Sequence, residues 1–379
     1  MQRSTERFLT THVGSLPRPD GLVRAMFAQE EGVPVDRAAL QVGVRTAVEE
    51  VVGHQLDAGI DLVNDGEMSK PSYASYPKYR LSGFDGESVT FSYRDLDDFP
   101  AMARRVMSDP GRSRRRTPAC TGPIAPTGDD AVHRDIESLL AATPDGLAGR
   151  FLTAASPGLV ALFFDNQHYR SYEDYLFAIA DAMRPEYETI AAAGITVQLD
   201  CPDLAMGRHV RYADLSDEQF RARVRENLEA LDHACAGIDP ELLRLHVCWG
   251  NYDGPHHRDI PRATIVEDVL RARPTGIAFE AANPRHAHEF TVFDEVRLPE
   301  GKVLIPGVLE SKTNVIEHPE LVAQRITRYA ERVGARNVIA GTDCGYGTWV
   351  GQAAVDPQVV WAKLASLTEG ARLAGRRWF

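Results

Sequence analysis

The chain has 379 residues, of which 44% are hydrophobic and 25% are charged, a composition typical of a globular protein rather than a disordered one. Its net charge of −12 and its pI near 5.5 argue against a general nucleic-acid-binding or anionic-membrane role. The first residues lack the apolar core of a signal peptide, and nowhere do roughly eighteen apolar residues run together. The five scattered cysteines, an odd number, suit a reducing compartment, so we predict a soluble cytoplasmic protein with free thiols.

Short apolar runs that predict strands alternate along the chain with stretches of helical periodicity. Two such helical stretches, 175–194 and 217–237, carry apolar residues at three- and four-residue intervals and close on a glycine. The predicted strands are 10–15, 60–67, 150–156, 195–200, 243–248, 276–281, 302–308 and 337–343. Eight strands that alternate with helices predict an α/β fold, a (β/α)8 TIM barrel formed by a single catalytic domain over residues 1–379.

An open, doubly wound sheet is the alternative fold, but no glycine-rich phosphate loop follows the first predicted strand. Between the second and third strands, residues from about 84 to 126 are predicted to form a β-hairpin insertion. The basic run within it, 103–118, is predicted to be an exposed loop.

Polar residues gather at or just after the carboxyl ends of six predicted strands. They are Ser15, Glu67, Asp200, His246, Cys248, Glu280 and Cys344. In a parallel barrel these strand ends converge on one face, and that face carries the active site. We therefore expect all seven side chains at one mouth of the barrel.

The sequence LRLHVC (243–248) ends on a histidine and a cysteine separated by one residue. Because side chains two apart in a strand lie on the same face, His246 and Cys248 should point together into the mouth. Imidazole and thiolate are preferred Zn²⁺ ligands, and a catalytic zinc site keeps one position open. With Cys344 as a third ligand and Glu280 as an exchangeable fourth, the pattern predicts a zinc site.

Each of these residues also has a simpler interpretation. A buried cysteine is usually a small hydrophobic residue, and Glu280 taken alone is a general polar residue of the site. The remaining cysteines are predicted to be structural; they are Cys120, Cys201 and Cys235. The histidines of GPHHRD (254–259) and PRHAHEF (284–290) are expected in loops and helix starts, outside the metal ligand set.

A zinc site rich in thiolate ligands suits the binding of a substrate thiol, because the metal lowers the thiol pKa and makes the sulfur nucleophilic. Glu67 and Asp200 place two carboxylates at the same mouth, which favours binding of a substrate ammonium. Their alternative role is that of ion-pair partners at the barrel end. The expected partners are a small-molecule thiol and an alkyl donor.

The motifs named so far resemble those of the cobalamin-independent methionine synthase family, in its catalytic carboxyl-terminal barrel and its short single-barrel relatives. The segments THVGSLPRP, NDGE and VQLDCP resemble its substrate-binding motifs, and LHVCWGN, IAFEAANPR and GTDCGYGT resemble its zinc-ligand segments. The resemblance implies that the zinc ligands are His246, Cys248, Glu280 and Cys344. It also implies that Glu67 and Asp200 bind the homocysteine amino group and that Ser15 meets its carboxylate through the backbone.

The resemblance has two departures from the family pattern. The long members carry an additional amino-terminal half that helps to bind a polyglutamylated folate, and these 379 residues include none. In GVLESKTN, Lys312 stands where the family has a catalytic histidine, and a lysine offers an ammonium for an anion rather than a proton shuttle near pH 7. Asp200 and Lys312 are the expected catalytic residues, and the methyl or alkyl donor stays open among a folate, a methylcobalamin protein and an epoxide.

Methyl transfer to a homocysteine-type thiol is the expected reaction. A related family member, epoxyalkane:coenzyme M transferase, uses a similar zinc set, and Lys312 would suit its sulfonate or epoxide oxygen. Two further hypotheses are a metal-free enzyme like the porphyrinogen decarboxylases and a closed structural zinc module. Neither of them explains three ligands at a barrel mouth.

Overall fold

The computed structural model describes residues 1–88, 93–109, 117–128, 130–352 and 354–379. Its central feature is a parallel sheet whose strands neighbour one another in chain order. These strands are β1 (Leu62–Val63), β2 (Gly149–Ala155), β3 (Thr196–Cys201), β4 (Leu243–Val247), β5 (Gly276–Phe279), β6 (Val303–Leu309) and β7 (Gly341–Thr342).

The segment around Thr10 closes this sheet into a barrel. Thr10 forms a parallel bridge with Ala340 beside β7, and the Leu62 N–H of β1 donates to the Thr10 carbonyl over 3.0 Å. Residues 9–11 thus occupy the position of the predicted first strand, between β1 and β7. The predicted α/β TIM barrel is confirmed, although three of its strands are much shorter than the alternation indicated.

The helices form the outer layer around the barrel. They are Asp20–Glu30, Arg37–Asp57, Pro100–Met107, Ala131–Ala142, Pro157–Phe163, Tyr172–Ala192, Gly207–Val210, Asp217–Ala234, Arg262–Arg271, Pro319–Val333 and Pro357–Trp378. Local sequence sets where several of them start: Ser216 and Gln219 form a capping box, and the Asp356 side chain accepts the N–H of Gln358. Apolar helix faces pack on the strands, so the main core lies between the two layers.

The barrel interior carries a layer of polar side chains above a small apolar cluster at its base. Strands β3 and β4 are in register so that Gln198 lies beside Arg244 and Asp200 beside His246. Because alternate residues share a face, these two cross-strand pairs stack one above the other along the barrel axis. All four side chains are buried.

The segment after β1 differs from the predicted β-hairpin. Its arms exchange antiparallel backbone hydrogen bonds, such as those between Gly86 and Ala119, but the described residues between them form a 3-10 helix at Arg94–Asp98 and an α-helix at Pro100–Met107. The hairpin is therefore not confirmed. Within the basic run, residues 103–107 belong to the helix Pro100–Met107 rather than to a loop, and 110–116 lie outside the described residues. Within the described parts of the chain, none of the helices combines the length and apolarity needed to cross a membrane.

Candidate active site

A cavity opens at the carboxyl ends of the strands. Its lining residues are Val13, Ser15, Glu67, Tyr73, Asp200, Pro202, His246, Cys248, Asn251, Cys344, Gly345 and Thr348. Six of the seven polar residues predicted for this mouth are among them. The seventh, Glu280, lies directly behind the cysteines and is fully buried.

A thiol–imidazole cluster stands at one wall of this cavity. The sulfur atoms of Cys248 and Cys344 are 3.5 Å apart, and one ligand atom from each of His246, Cys248 and Cys344 lies within 4.8 Å of the others. Strand β4 delivers the first two residues together, and the turn after β7 delivers Cys344. That turn requires glycine next, because a Cβ on Gly345 would lie 2.0 Å from the Ser15 hydroxyl oxygen.

The two sulfurs have different surroundings. The backbone N–H of Gly250 donates to the Cys248 sulfur over 3.2 Å, which stabilises negative charge there. Burial and the neighbouring Cys248 and Glu280 raise the pKa of Cys344 well above its usual range. Two thiolates in this position therefore need a cation between them, and the donor set of two sulfurs and one imidazole fits Zn²⁺.

Glu280 is held by several donors behind the cluster. Its Oε2 accepts from Lys312 Nζ over 2.8 Å and from Asn283 Nδ2 over 3.0 Å, while its Oε1 accepts from the Trp249 N–H and lies 3.7 Å from the Cys344 sulfur. Burial opposes its charge, but Lys312 and two nearby histidines outweigh burial and lower the pKa of Glu280 to about 2. It is thus a charged carboxylate beside the cluster, although it is not one of the residues whose ligand atoms all lie within 4.8 Å.

Glu67 lies at the other wall with one buried oxygen, Oε2, that has no hydrogen-bond partner. Its backbone is in the left-handed region with φ of 60°, a conformation that is costly for a non-glycine residue and recurs at functional sites. Burial and the Asp200 carboxylate raise the pKa of Glu67 to about 7, and the cation of Lys70 offsets them only in part. This pair of carboxylates lacks a neutralising cation of its own in the described lining of the cavity.

Asp200 and Ser15 complete the predicted set. Asp200 Oδ1 is 3.1 Å from His246 Nδ1, which fixes the imidazole with its other nitrogen directed away from the carboxylate. Ser15 lines the cavity, and its backbone carbonyl accepts from the N–H of Tyr346. A Cβ on the preceding Gly14 would lie 2.9 Å from a Glu67 oxygen, so glycine lets the two strand ends approach.

Three cationic side chains around the cavity form ion pairs or hydrogen bonds with other groups of the protein. Lys312 pairs with Glu280, Lys70 donates to the backbone and side-chain oxygens of Thr153, and Arg18 donates to the carbonyls of Gly347, Glu67 and Lys70. In the described part of the chain, the cavity lining includes no lysine or arginine. Lys312 therefore lies behind Glu280 rather than at the cavity surface.

Asp343 is a functional candidate that the sequence analysis did not single out. Its carboxylate accepts three backbone N–H groups, those of Ala281, Ala282 and Asn283, over 2.6–2.8 Å. It thus ties the turn after β5, which carries Glu280, to the turn that carries Cys344. Burial and Glu280 raise the pKa of Asp343 to about 7. The sequence feature that could have identified Asp343 is its position in GTDCG, directly before the predicted ligand Cys344.

Two of the histidines predicted for loops and helix starts are buried around one carboxylate. Asp259 lies 2.8 Å from His256 Nδ1 and 2.9 Å from His286 Nε2, and a third histidine, His209, approaches it to 3.2 Å through Nδ1. The His286 ring also packs against the Trp249 ring, and the backbone N–H of Trp249 donates to Glu280. The cluster therefore joins two loops and the short helix Gly207–Val210 behind the metal-ligand candidates, and it lies outside the set of close ligand atoms.

The closed parallel barrel with polar residues at its carboxyl mouth defines a TIM-barrel protein, and comparison with known proteins places it within that class. Residues 159–363 match the catalytic domain of the cobalamin-independent synthase family. The chain belongs to this family.

Similar proteins cover almost the whole chain. A methionine synthase from Saccharolobus islandicus (strain L.S.2.15 / Lassen #1) is 24% identical over 369 residues, which are 96% of this chain and 94% of that protein. One from Sulfolobus acidocaldarius is 25% identical over 339 residues, 89% of this chain and 85% of that protein. The structure of a B12-independent methionine synthase from Shewanella sp. W3-18-1, in complex with selenomethionine, superposes with a TM-score of 0.76 at 20% identity and 98% coverage of both chains, which shows the shared fold.

Proposed function

We propose that this protein is a methyltransferase that transfers a methyl group to a homocysteine-type thiol activated on a zinc ion. The observation that carries the proposal is the cavity itself. It has two cysteines and a histidine on one wall and a carboxylate with an unpartnered buried oxygen on the other. Family membership supports the same reaction class.

His246, Cys248 and Cys344 would hold the zinc ion, with Glu280 beside them as the ligand that yields its place. Bound zinc supplies acidity, since it lowers the pKa of a substrate thiol so that the sulfur is a nucleophile at neutral pH. Asp200 holds the His246 ring in position through the Nδ1 contact.

Glu67 and Asp200 bind the ammonium of the substrate. Glu67 Oε2 has no partner, and its raised pKa reflects a buried negative charge that a cation would stabilise. An ammonium placed there supplies the charge that the protein does not. In this proposal Ser15, at the adjoining strand end, meets the substrate carboxylate through its backbone.

The coenzyme M alternative receives less support from the contacts. Coenzyme M carries a sulfonate and no ammonium, so it would bring net negative charge to a cavity whose described lining has two carboxylates and no lysine or arginine, while Lys312 is paired with Glu280. Lys312 therefore acts on Glu280 in this proposal rather than on a substrate anion or an epoxide oxygen. A cavity lined by two carboxylates suits an aminothiol.

A product test decides between these reactions. The zinc-loaded protein is incubated with homocysteine or coenzyme M, each with a methylfolate, methylcobalamin or an epoxide, and the thioether is identified by mass spectrometry. We expect methionine from homocysteine with one of the methyl donors. A thioether formed only from coenzyme M and an epoxide would overturn the proposal, and so would a product formed equally well by zinc-free protein.

A further inference from the structure

Arg244 is a buried cation in the barrel interior whose hydrogen-bond partners are all neutral. It lies on β4 two residues before His246, and its guanidinium stacks 3.4 Å from the Phe151 ring centroid. Its nitrogens donate to the Thr11 hydroxyl over 3.1 Å, to the His12 carbonyl over 2.7 Å and to Gln198 Oε1 over 2.5 and 2.8 Å. The proposed reaction gives this residue no role.

The Arg244 contact fixes which way the Gln198 amide points. A guanidinium only donates hydrogen bonds, so Gln198 must present its oxygen to Arg244 and its NH₂ group to the opposite side. There the Gln198 nitrogen donates to Asp200 Oδ1 over 2.9 Å and also to the carbonyl of Val13. With the amide reversed, an oxygen would face the Asp200 carboxylate and an NH₂ group would face the guanidinium.

The same Asp200 oxygen lies 3.1 Å from His246 Nδ1. An unbroken series of contacts therefore runs from Arg244 through Gln198 and Asp200 to the imidazole beside the two cysteines. The strand register produces it, because Gln198 pairs with Arg244 and Asp200 pairs with His246. Arg244 and Gln198 are 0% exposed, so water does not compete for the donors and acceptors at that end of the series.

We propose that Arg244 and Gln198 are positioning residues that orient the Asp200 carboxylate against His246. This inference rests on the proposed function for its metal but not for its geometry. The Arg244 guanidinium selects the amide orientation, the amide holds Asp200 Oδ1, and Asp200 holds the His246 ring. Partners one step behind a metal-binding histidine commonly change metal affinity by about 10- to 100-fold when they are altered.

The test is zinc affinity, measured by competition with a chromophoric chelator. Gln198→Glu keeps an acceptor for Arg244 but replaces the donor to Asp200 with a carboxylate oxygen. We expect a loss of about tenfold in zinc affinity. The matched control is Thr11→Val, which removes another buried partner of the same guanidinium that does not lead to Asp200. Its zinc affinity should stay within about twofold of the unaltered protein, because the contact between Gln198 and Asp200 remains and the lost hydrogen bond acts on stability instead.

A double-mutant cycle separates positioning from general damage. In an Asp200→Asn background the series is already broken, so Gln198→Glu should add less than about twofold. A full tenfold loss in that background, or an unchanged affinity in Gln198→Glu itself, would overturn the proposal. If Gln198→Glu does not fold, as judged by circular dichroism, Gln198→Met enters the same cycle with the same expected direction.

The two proposals fail separately. The cycle needs no turnover, so a non-additive loss of zinc affinity without any thioether product leaves the positioning role intact and removes the methyl transfer. Product formation together with an additive cycle would support the methyl transfer and overturn the positioning role.

Discussion

Two buried carboxylates face the same thiol–imidazole cluster, and their electrostatic states are opposite. Glu280 is 0% exposed and Glu67 is 2% exposed, so burial does not distinguish them. Lys312 accompanies Glu280 and helps to lower its pKa to about 2, whereas Asp200 helps to raise the pKa of Glu67 to about 7. Neighbouring charge rather than depth therefore distinguishes the two groups: Lys312 and two nearby histidines outweigh burial at Glu280, whereas Lys70 offsets burial and the Asp200 charge only in part at Glu67.

The largest expected effect comes from removing the cysteine ligands of the proposed zinc ion. The unaltered chain should carry about one zinc, and Cys248→Ser or Cys344→Ser should weaken zinc binding by more than roughly a hundredfold, because a hydroxyl is a far poorer zinc ligand than a thiolate. Elemental analysis and chelator competition measure this. Cys201→Ser, at another buried thiol, is the control and should keep its zinc. Full zinc occupancy in a folded Cys248/Cys344 double variant would disprove the site.

The charge state of Glu280 is tested by removing its ion-pair partner, Lys312. Lys312→Met leaves a buried carboxylate without its ion-pair partner, which should lower the free energy of unfolding by about 3–5 kcal/mol in urea titrations. Adding Glu280→Gln should restore most of this loss, because a neutral pair replaces the unpaired charge. If the single and double variants are equally unstable, packing rather than charge explains the effect.

The proposed contact between Glu67 and a substrate ammonium is tested with two thiols. Glu67→Gln should weaken binding of homocysteine by about 1.5–3 kcal/mol, the size of a charge-assisted contact. A thiol of similar length without an amine should bind almost as before. Binding is measured by calorimetry on the zinc-loaded protein. Equal losses for the two thiols would assign Glu67 a structural role.

The smallest expected effect is the pH dependence of stability due to Glu67. The pKa of this group is about 7 in the folded protein and about 4.5 in the unfolded chain, so the unfolded chain loses the proton first as pH rises. Stability should therefore fall by about 1–2 kcal/mol between pH 5.5 and 7.5 on account of this group. Urea titrations of Glu67→Gln in the same metal state should lack this part of the slope. A parallel slope in both proteins would place the titration elsewhere.

The barrel and the set of residues at its mouth could be predicted from the sequence because both follow from simple periodicities. Alternation of apolar strands with helices predicted the barrel strands, and two-residue spacing placed His246 and Cys248 together. The early ends of the first two predicted strands, 10–15 and 60–67, could not be read in the same way. Positive φ angles at Gly14, Gly66 and Glu67 end the extended backbone early, and the alternation of residue types does not encode those angles.

The partners behind the site could not be predicted, since they join residues that are far apart in the chain. Lys312 was expected at a substrate anion, but it pairs with Glu280 on the adjacent strand end. The histidines His256 and His286 were expected in loops and helix starts, and spacing gave no sign that Asp259 would gather them into the interior. Charge pairing of this kind depends on side-chain reach across the mouth, which no spacing in the sequence specifies.

The barrel closes at a seam formed by residues 9–11 and the facing segment 340–345, which is paired less extensively than strands β3 and β4 on the other side of the site. Strands β3 and β4 are joined over five consecutive residue pairs and end one residue after Asp200 and His246, while the seam is bridged at Thr10. Amide hydrogens around residues 9–15 and 341–345 should therefore exchange with solvent faster than those of β3 and β4. Cys344 belongs to the seam, whereas Cys248 directly follows β4. An ion bound by both sulfurs would therefore link the seam to the more extensively paired side of the barrel. Loading with zinc should slow amide exchange at the seam much more than in β3.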